Sequence, residues 1–216
     1  MNALARSLSP KEPLSCLPSP DFYIREFRRL PTIGTDRLIL RKVRRSDAAD
    51  LFAYARDPEV SRHVLWSPHE SLFDSRLMIC QLRRQYRRGE PATFGITLRE
   101  TGRLIGTIGF MQLITEHRCA EIGYSLSRDY WNRGLMTEAL IATIDYAFNV
   151  LRLKRVEALH ETDNPASGRV MEKAGMQEEG VLRQRILNKG HFSDVKIWSV
   201  LDAEWPHHKE DKNVHL

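Results

Sequence analysis

The residues best suited to chemistry fall in two short stretches and one isolated position. The first stretch is Trp131-Asn132-Arg133-Gly134, running into Leu135-Met136-Thr137, where a strand-like pattern gives way to a helix-like one. N–H groups at a helix start lack intrahelical partners, and the helix dipole adds partial positive charge, so this junction suits a phosphate. Gly134 would let an anion approach the backbone, and Arg133 adds a formal charge. The same pair would also serve an ordinary turn, with Arg133 solvated. The second stretch is Asn164-Pro165-Ala166-Ser167. Asn-Pro fits the cap and first position of a helix, and Ser167, one turn in, could face a ligand or bond nearby backbone. Glu121 is the isolated carboxylate, inside a strand-like run, and is read either as a general base or as an exposed strand residue.

Other patterns argue against competing chemistries. Gly102, Gly106 and Gly109 lie inside a hairpin pattern rather than opening a helix, so neither a dinucleotide fingerprint nor a phosphate loop is expected. Cys16, Cys80 and Cys119 form no CxxC pair and leave an odd thiol, which points to a reduced compartment. Cys119 is not expected to act as a nucleophile. His63, His69, His117, His160 and His191 lack metal-ligand spacing, so no metal is expected. The run "RRQYRR" from Arg83 to Arg88, in a chain of net charge +5, could attract RNA or an acidic protein or be a solvated helix face. With Tyr86 alone as a stacking ring, sequence-specific nucleic-acid binding is not expected.

The elements that position these residues follow from periodicity. At 216 residues with 42% hydrophobic content, the chain can bury one core and is read as one domain. Residues 1–20 hold Pro10, Pro13, Pro18 and Pro20 and are expected to form a flexible arm; residues 21–205 form the domain and 206–216 a polar tail. "DRLILRKV" alternates as a strand through Leu38 and Leu40. "SDAADLFAYARD" predicts a helix capped by Ser46, with Ala49, Leu51, Phe52 and Ala55 on one face. A second helix is predicted from Ser71 to Arg88, closed by Gly89. A hairpin then turns at Thr101-Gly102, a third strand covers 119–127, and a helix spans about Gly134 to Val150. "RVEALH" is a further strand, Pro165 to Ala174 a helix ended by Gly175, and two last strands meet at Lys189-Gly190. The sum is an α+β domain, a mainly antiparallel sheet with one parallel crossover from 119–127 through the long helix to 155–160. No apolar run approaches about 18 residues, and no signal-peptide core is seen at the N-terminus, so a cytoplasmic protein without membrane partners is expected.

The order of these parts resembles the GNAT N-acetyltransferases, and within them the RimJ/RimL-like branch that acetylates protein N-termini, ribosomal ones included. The resemblance runs from about Thr35 to Trp205 and rests on "TDRLILRKVRRSDAADLF", "IGTIGF", "AEIGYSLSRDYWNRGLMTEAL", "NPASGRVMEKAGMQEEGVLR" and "SDVKIWSVL". It implies the GNAT fold, in which a central strand and the next parallel strand splay to leave a slot for acetyl-CoA as the acetyl donor. It implies that the backbone of Ile122, Tyr124 and Leu126 pairs with the pantetheine arm. It also implies that Trp131, Asn132, Arg133, Gly134, Met136 and Thr137 hold the pyrophosphate, with Tyr130 and Trp131 wedging the loop. Trp131 and Met136 stand where the broad superfamily pattern has Gln or Arg and Gly or Ala, a departure common in this branch. Asn164 and Ser167 would contact the pantetheine arm, Ser167 also standing in for the tyrosine acid of other members, since the corresponding position is Met171.

The chemistry implied is direct attack of a neutral amine on the thioester in a ternary complex, with Glu121 the first candidate base. Trp66, His69 and Phe73 lie where such proteins build the acceptor pocket, although core packing also suits Phe73. The acceptor expected is a protein or peptide N-terminus. A small amine such as an antibiotic, polyamine or amino-acid derivative is the alternative, and a catalytically weak acyl-CoA-binding module a further one. A homodimer is left open.

Overall fold

The computed structural model describes residues 17–206, so most of the proline-rich arm and the polar tail lie outside the described residues. The first described element is α1 (Pro20–Arg29), which the sequence did not reveal. Pro20, grouped with the arm, is the first residue of this helix, and the Ser19 hydroxyl accepts from the Phe22 N–H at 3.3 Å. Buried Tyr23 and Phe27 anchor it. The elements that follow are β1 (Ile33–Gly34), β2 (Leu38–Lys42), α2 (Ala48–Ala55), α3 (Pro58–Ser61), α4 (Leu72–Arg88), β3 (Thr93–Leu98), β4 (Leu104–Ile114), β5 (Cys119–Leu126), α5 (Leu135–Asn149), β6 (Arg155–Glu161), α6 (Pro165–Lys173), β7 (Gln177–Asn188) and β8 (His191–Leu201).

The eight strands form one sheet in the order β1-β2-β3-β4-β5-β6-β8-β7. Every neighbouring pair is antiparallel except β5 and β6, which are joined through α5 and run parallel, as the sequence predicts. Leu38 and Leu40 on β2 are fully buried, in keeping with the alternation. The turns also fall where glycine was read: Gly102 has φ 68° and Gly175 φ 84°, a region open to glycine at little cost.

Two expectations need correction. Ser46 does not cap α2; it lies in a single 3₁₀ turn, Arg45–Asp47, and the helix starts at Ala48. The Asp47 carboxylate accepts the Arg44 N–H at 2.6 Å and both Arg41 guanidinium nitrogens at 2.8 and 2.9 Å, which tightens the chain there. The buried face of α2 is consequently Ala48, Leu51, Tyr54 and Ala55, whereas Ala49 is exposed and Phe52 half-buried beneath Arg56. Phe73 is not core: it is 62% exposed on the first turn of α4.

Strand alternation assigns the layers. The Tyr124 hydroxyl reaches Ser167 on α6, whereas Ser125, bonded to Thr107 at 3.1 Å, lies beside Tyr54 on α2. Adjacent residues point to opposite faces, so α6 covers one face of the sheet and α2 the other. On the α6 side, α5 buries ten of its fifteen residues, Tyr146 meeting Phe94 edge-on at 5.7 Å. No helix among the described residues is long and apolar enough to cross a membrane.

Candidate functional site

The central feature is the point where β5 and β6 part. Their parallel pairing covers only Cys119↔Arg155, Ala120↔Val156 and Glu121↔Glu157. From Ile122 to Leu126 the β6-facing edge of β5 has no strand beside it, so its backbone groups form an open ladder. An extended ligand carrying amides can pair with such an edge as an added strand would.

At the far end of that edge lies the loop anticipated as an anion seat. Asn132 and Gly134 both have positive φ, 59° and 72°, and Gly134 caps α5. The N–H groups of the first turn of α5 have no partner within the helix. Only Arg37 Nη2, 3.6 Å away, would neighbour a Cβ at Gly134, so the backbone there is open to a ligand. The Trp131 indole donates to the Leu126 carbonyl at 2.8 Å, tying the loop to the strand end, and the Arg133 guanidinium stacks over Tyr130 at 5.4 Å. The Met136 side chain is 6% exposed and belongs to the core, while Thr137 is half-buried one position on. The Ile122 side chain is likewise in the core, leaving its backbone for binding.

Sequence reasoning missed Arg37. Its Nη1 donates to the Arg133 carbonyl at 2.9 Å, and its Nε pairs with Glu138 of α5 at 2.6 Å. Glu138 also accepts from the Thr35 hydroxyl and the Arg37 N–H, and together these bonds hold its carboxyl below the usual range against the upward pull of burial. The partners are about a hundred positions apart, and no local pattern announces them.

Across the opening stands α6. The Asn164 side chain caps it, accepting the Ser167 N–H at 3.3 Å, and the Ser167 hydroxyl meets the Tyr124 hydroxyl at 2.8 Å. Tyr124 was expected to serve through its backbone; its side chain also bridges the opening, and burial pushes its phenol up, so it stays protonated.

Glu121 lies on the opposite face. Three residues from Tyr124 on an unbroken strand, it points toward the α2 side and is half-buried. Burial raises its carboxyl, Glu157 adds to the shift and Arg185 opposes it. Beside it, β4 carries a register irregularity between Phe110 and Gln112, and Met111 there is exposed and covers Gly123. A Cβ at Gly123 would lie 2.8 Å from Met111 Cγ, which explains the glycine. Nothing in the sequence signalled this bulge. Glu121 and Ser167 therefore flank the opening from opposite faces.

The expected pocket residues Trp66 and His69 do meet, with ring centroids 5.6 Å apart in the α3–α4 connection. His69 Nδ1 is taken by the Ser75 hydroxyl at 2.8 Å, and burial lowers its pKa, Asp74 opposing. His63, which looked isolated, pairs with Glu161 at 2.7 Å and lies 3.7 Å from Asp163. These three could ligate an ion, but the Glu161 carboxylate is already bonded by both His63 and the Asn188 amide, an arrangement that clamps the β7–β8 hairpin to β6.

The family model "Acetyltransferase (GNAT) domain" matches residues 37–177. The N-acetyltransferase YoaA of Bacillus subtilis is 39% identical over 171 residues, covering 79% of this chain and 97% of its own. The ribosomal protein uS5-alanine N-acetyltransferase of Escherichia coli is 29% identical over 185 residues, covering 80% and 92%. The crystal structure of a GNAT-family acetyltransferase from Bacillus anthracis superposes with TM-score 0.71 at 29% identity, covering 80% of this chain and 99% of that one. A matched family domain spanning more than half the chain, with a relative 39% identical along most of its length, makes this protein a member of the GNAT acetyltransferases and an N-acetyltransferase whose donor is acetyl-CoA.

Proposed function

We propose that the acceptor is the α-amino group of a protein or peptide N-terminus, and that the donor lies along the open edge of β5. What carries the reading is the position of Glu121, a half-buried carboxylate where β6 leaves β5. Acetyl-CoA supplies an activated acetyl group as its thioester. The open β5 edge from Ile122 to Leu126 orients the arm that carries it, and the N–H groups from Arg133 to Thr137 hold its phosphates, with Trp131, Asn132 and Asn164 shaping the seat. A β5 N–H turned to the carbonyl oxygen stabilises developing negative charge, a contribution of about 3 kcal/mol for one such donor.

Glu121 takes the proton from the amine, directly or through water, an assistance worth about 10² to 10⁴ in rate. Its raised pKa suits this task, because a base works best when its pKa approaches the working pH. An α-amine, with pKa about 8, asks less of that base than a lysine at about 10.4. Ser167, whose hydroxyl meets that of Tyr124, passes a proton to the leaving thiolate and is reprotonated from water. Trp66, His69 and Met111 border the amine's approach on the Glu121 face. The Escherichia coli relative, which modifies the N-terminal alanine of a ribosomal protein by its name, supports the choice of acceptor.

The test is thiol release from acetyl-CoA over a matched panel of short peptides and small amines, with product mass locating the acetyl group. Acetylation at the peptide α-amine is expected. Turnover of small amines alone would overturn this acceptor and favour the small-amine alternative.

A further inference from the structure

Two concavities lie along one face of α4, apart from the β5–β6 opening. The larger, of about 310 Å³, is bordered by Lys42, Arg44, Arg83, Tyr86 and Arg87, and the smaller, of about 220 Å³, by Arg45, Arg76 and Cys80. Arg76, Cys80, Arg83 and Arg87 succeed one another at helical spacings of four, three and four, so they share one face of α4. Arg44 and Arg45, adjacent in the β2–α2 connection, join the two hollows into one groove. Among the described residues, no carboxylate borders either hollow.

Not every cation here is available. Arg41 is held in a two-pronged pair by Asp47, and the Lys42 ammonium donates to the Arg28 carbonyl at 2.5 Å while lying 5.6 Å from the Tyr86 ring. Arg44, Arg45, Arg76, Arg83 and Arg87 are exposed and make no ion pair among the described residues. Five exposed guanidiniums that form no ion pair among the described residues line one groove, and Arg44 also feels the charge of Asp47, a carboxylate already held by Arg41. From Arg76 to Arg87 the row runs about 16 Å at 1.5 Å per residue, which fits an extended polyanion rather than a single phosphate. Tyr86 is buried, its hydroxyl donating to the Thr93 carbonyl at 2.6 Å, so this ring is not free for a base to stack on.

The groove is distinct from the donor seat. Arg37, which touches the pyrophosphate loop, precedes β2, whereas the groove begins at Lys42 where β2 ends, and β3 and β4 lie between β2 and β5.

We propose that this face of α4 docks the phosphodiester backbone of a nucleic-acid strand, without sequence preference, as a second binding site on the enzyme. Guanidiniums pair phosphates in fork geometry, and contacts confined to phosphate position a protein without reading bases. The probe is a labelled single-stranded RNA of about 12 nucleotides, within the site sizes such grooves accommodate. Its binding to the intact protein is followed by fluorescence anisotropy over a salt series. A triple variant, Arg44→Gln with Arg83→Gln and Arg87→Gln, is compared with the parent.

The parent is expected to bind at low salt, and the variant at least about tenfold more weakly, with a log-affinity versus log-salt slope smaller by about 2, given about 0.7 per phosphate contact on a single strand. Melting temperature and acetyl-CoA affinity should not change, since these exposed side chains lie outside the donor seat. Failure of the parent to bind, or an unchanged slope in the variant, would overturn the proposal. So would an oligoglutamate of matched charge binding as tightly, which would assign the groove to an acidic protein, or displacement of the RNA by equimolar mononucleotide, which would make it a small-anion site.

Discussion

Replacement of Gly134 gives the sharpest test of where the donor's phosphates sit. With φ 72°, any side chain here is strained by about 1 to 2 kcal/mol, a cost that Gly134→Ala and Gly134→Asp share. There is room for either, since only the mobile end of Arg37 lies within 4 Å of the added Cβ. The variants differ in charge. A carboxylate roughly 6 Å from a phosphate repels each unit charge by about 0.7 kcal/mol in bulk water and about 3 kcal/mol at an effective dielectric of 20. Arg37 would partly neutralise the new carboxylate, which favours the lower half of that range. Across two phosphates the expected loss is about 1.5 to 3 kcal/mol, or roughly 10- to 150-fold in acetyl-CoA affinity. Calorimetric titration of both variants, with melting curves to confirm folding, measures it. The Ala variant should bind within about threefold of the parent, because it carries the shared strain without the charge. Equal affinities for Ala and Asp would refute the reasoning.

Three further outcomes follow from the same geometry. Glu121→Gln should lower kcat/KM by about 10² to 10⁴ at the pH values where the parent carboxylate is ionised, the loss shrinking in acid as Glu121 takes up a proton. Because burial raises the Glu121 pKa, the parent's activity should fall with acid at a pH above the ordinary carboxylate range; that limb should vanish in the variant, and an unaltered pH–rate profile would exclude the role. Cys119 is buried, and burial, helped by Glu157, pushes its thiol up to about 11, so it carries almost no thiolate at neutral pH. A thiol reagent at pH 8 should mark exposed Cys80 and spare Cys119 in peptide mapping, and Cys119→Ala should keep kcat within a few-fold; lost turnover would revive a thiol intermediate. Tyr124→Phe removes the 2.8 Å bond to the Ser167 hydroxyl and should cost about 1 kcal/mol of stability, read by denaturant titration, with a lowered kcat. An unchanged kcat would leave Ser167 acting without it.

What the sequence made legible was local. Gly134, Asn164-Pro165, Gly175 and Lys189-Gly190 each answer a backbone demand set by immediate neighbours, and the structure meets them with positive φ or a cap at those positions. The parallel crossover was also readable, because a long amphipathic run between two strands leaves few ways to return. What escaped depended on partners far along the chain. Arg37 finds Glu138 and the Arg133 carbonyl, His63 finds Glu161, and Tyr124 finds Ser167, none of which leaves a periodic trace. α1 was hidden because Pro20, a residue that usually signals irregular chain, is also the favoured first residue of a helix. Ser46 looked like a cap, but the pairing of Asp47 with Arg41, six residues before it, and with the Arg44 N–H holds Ser46 in a 3₁₀ turn ahead of the helix start. Phe73 shows the limit of reading burial from residue type, since it projects from the exposed side of α4.

The most direct test of the account is amide hydrogen exchange with and without acetyl-CoA. The open edge of β5 and the start of α5 are the two places where the donor should supply partners that the fold does not. Slowed exchange confined to Ile122 through Leu126 and to Arg133 through Thr137 is the result predicted. Protection elsewhere on the sheet, with these two segments unchanged, would contradict the placement of the donor.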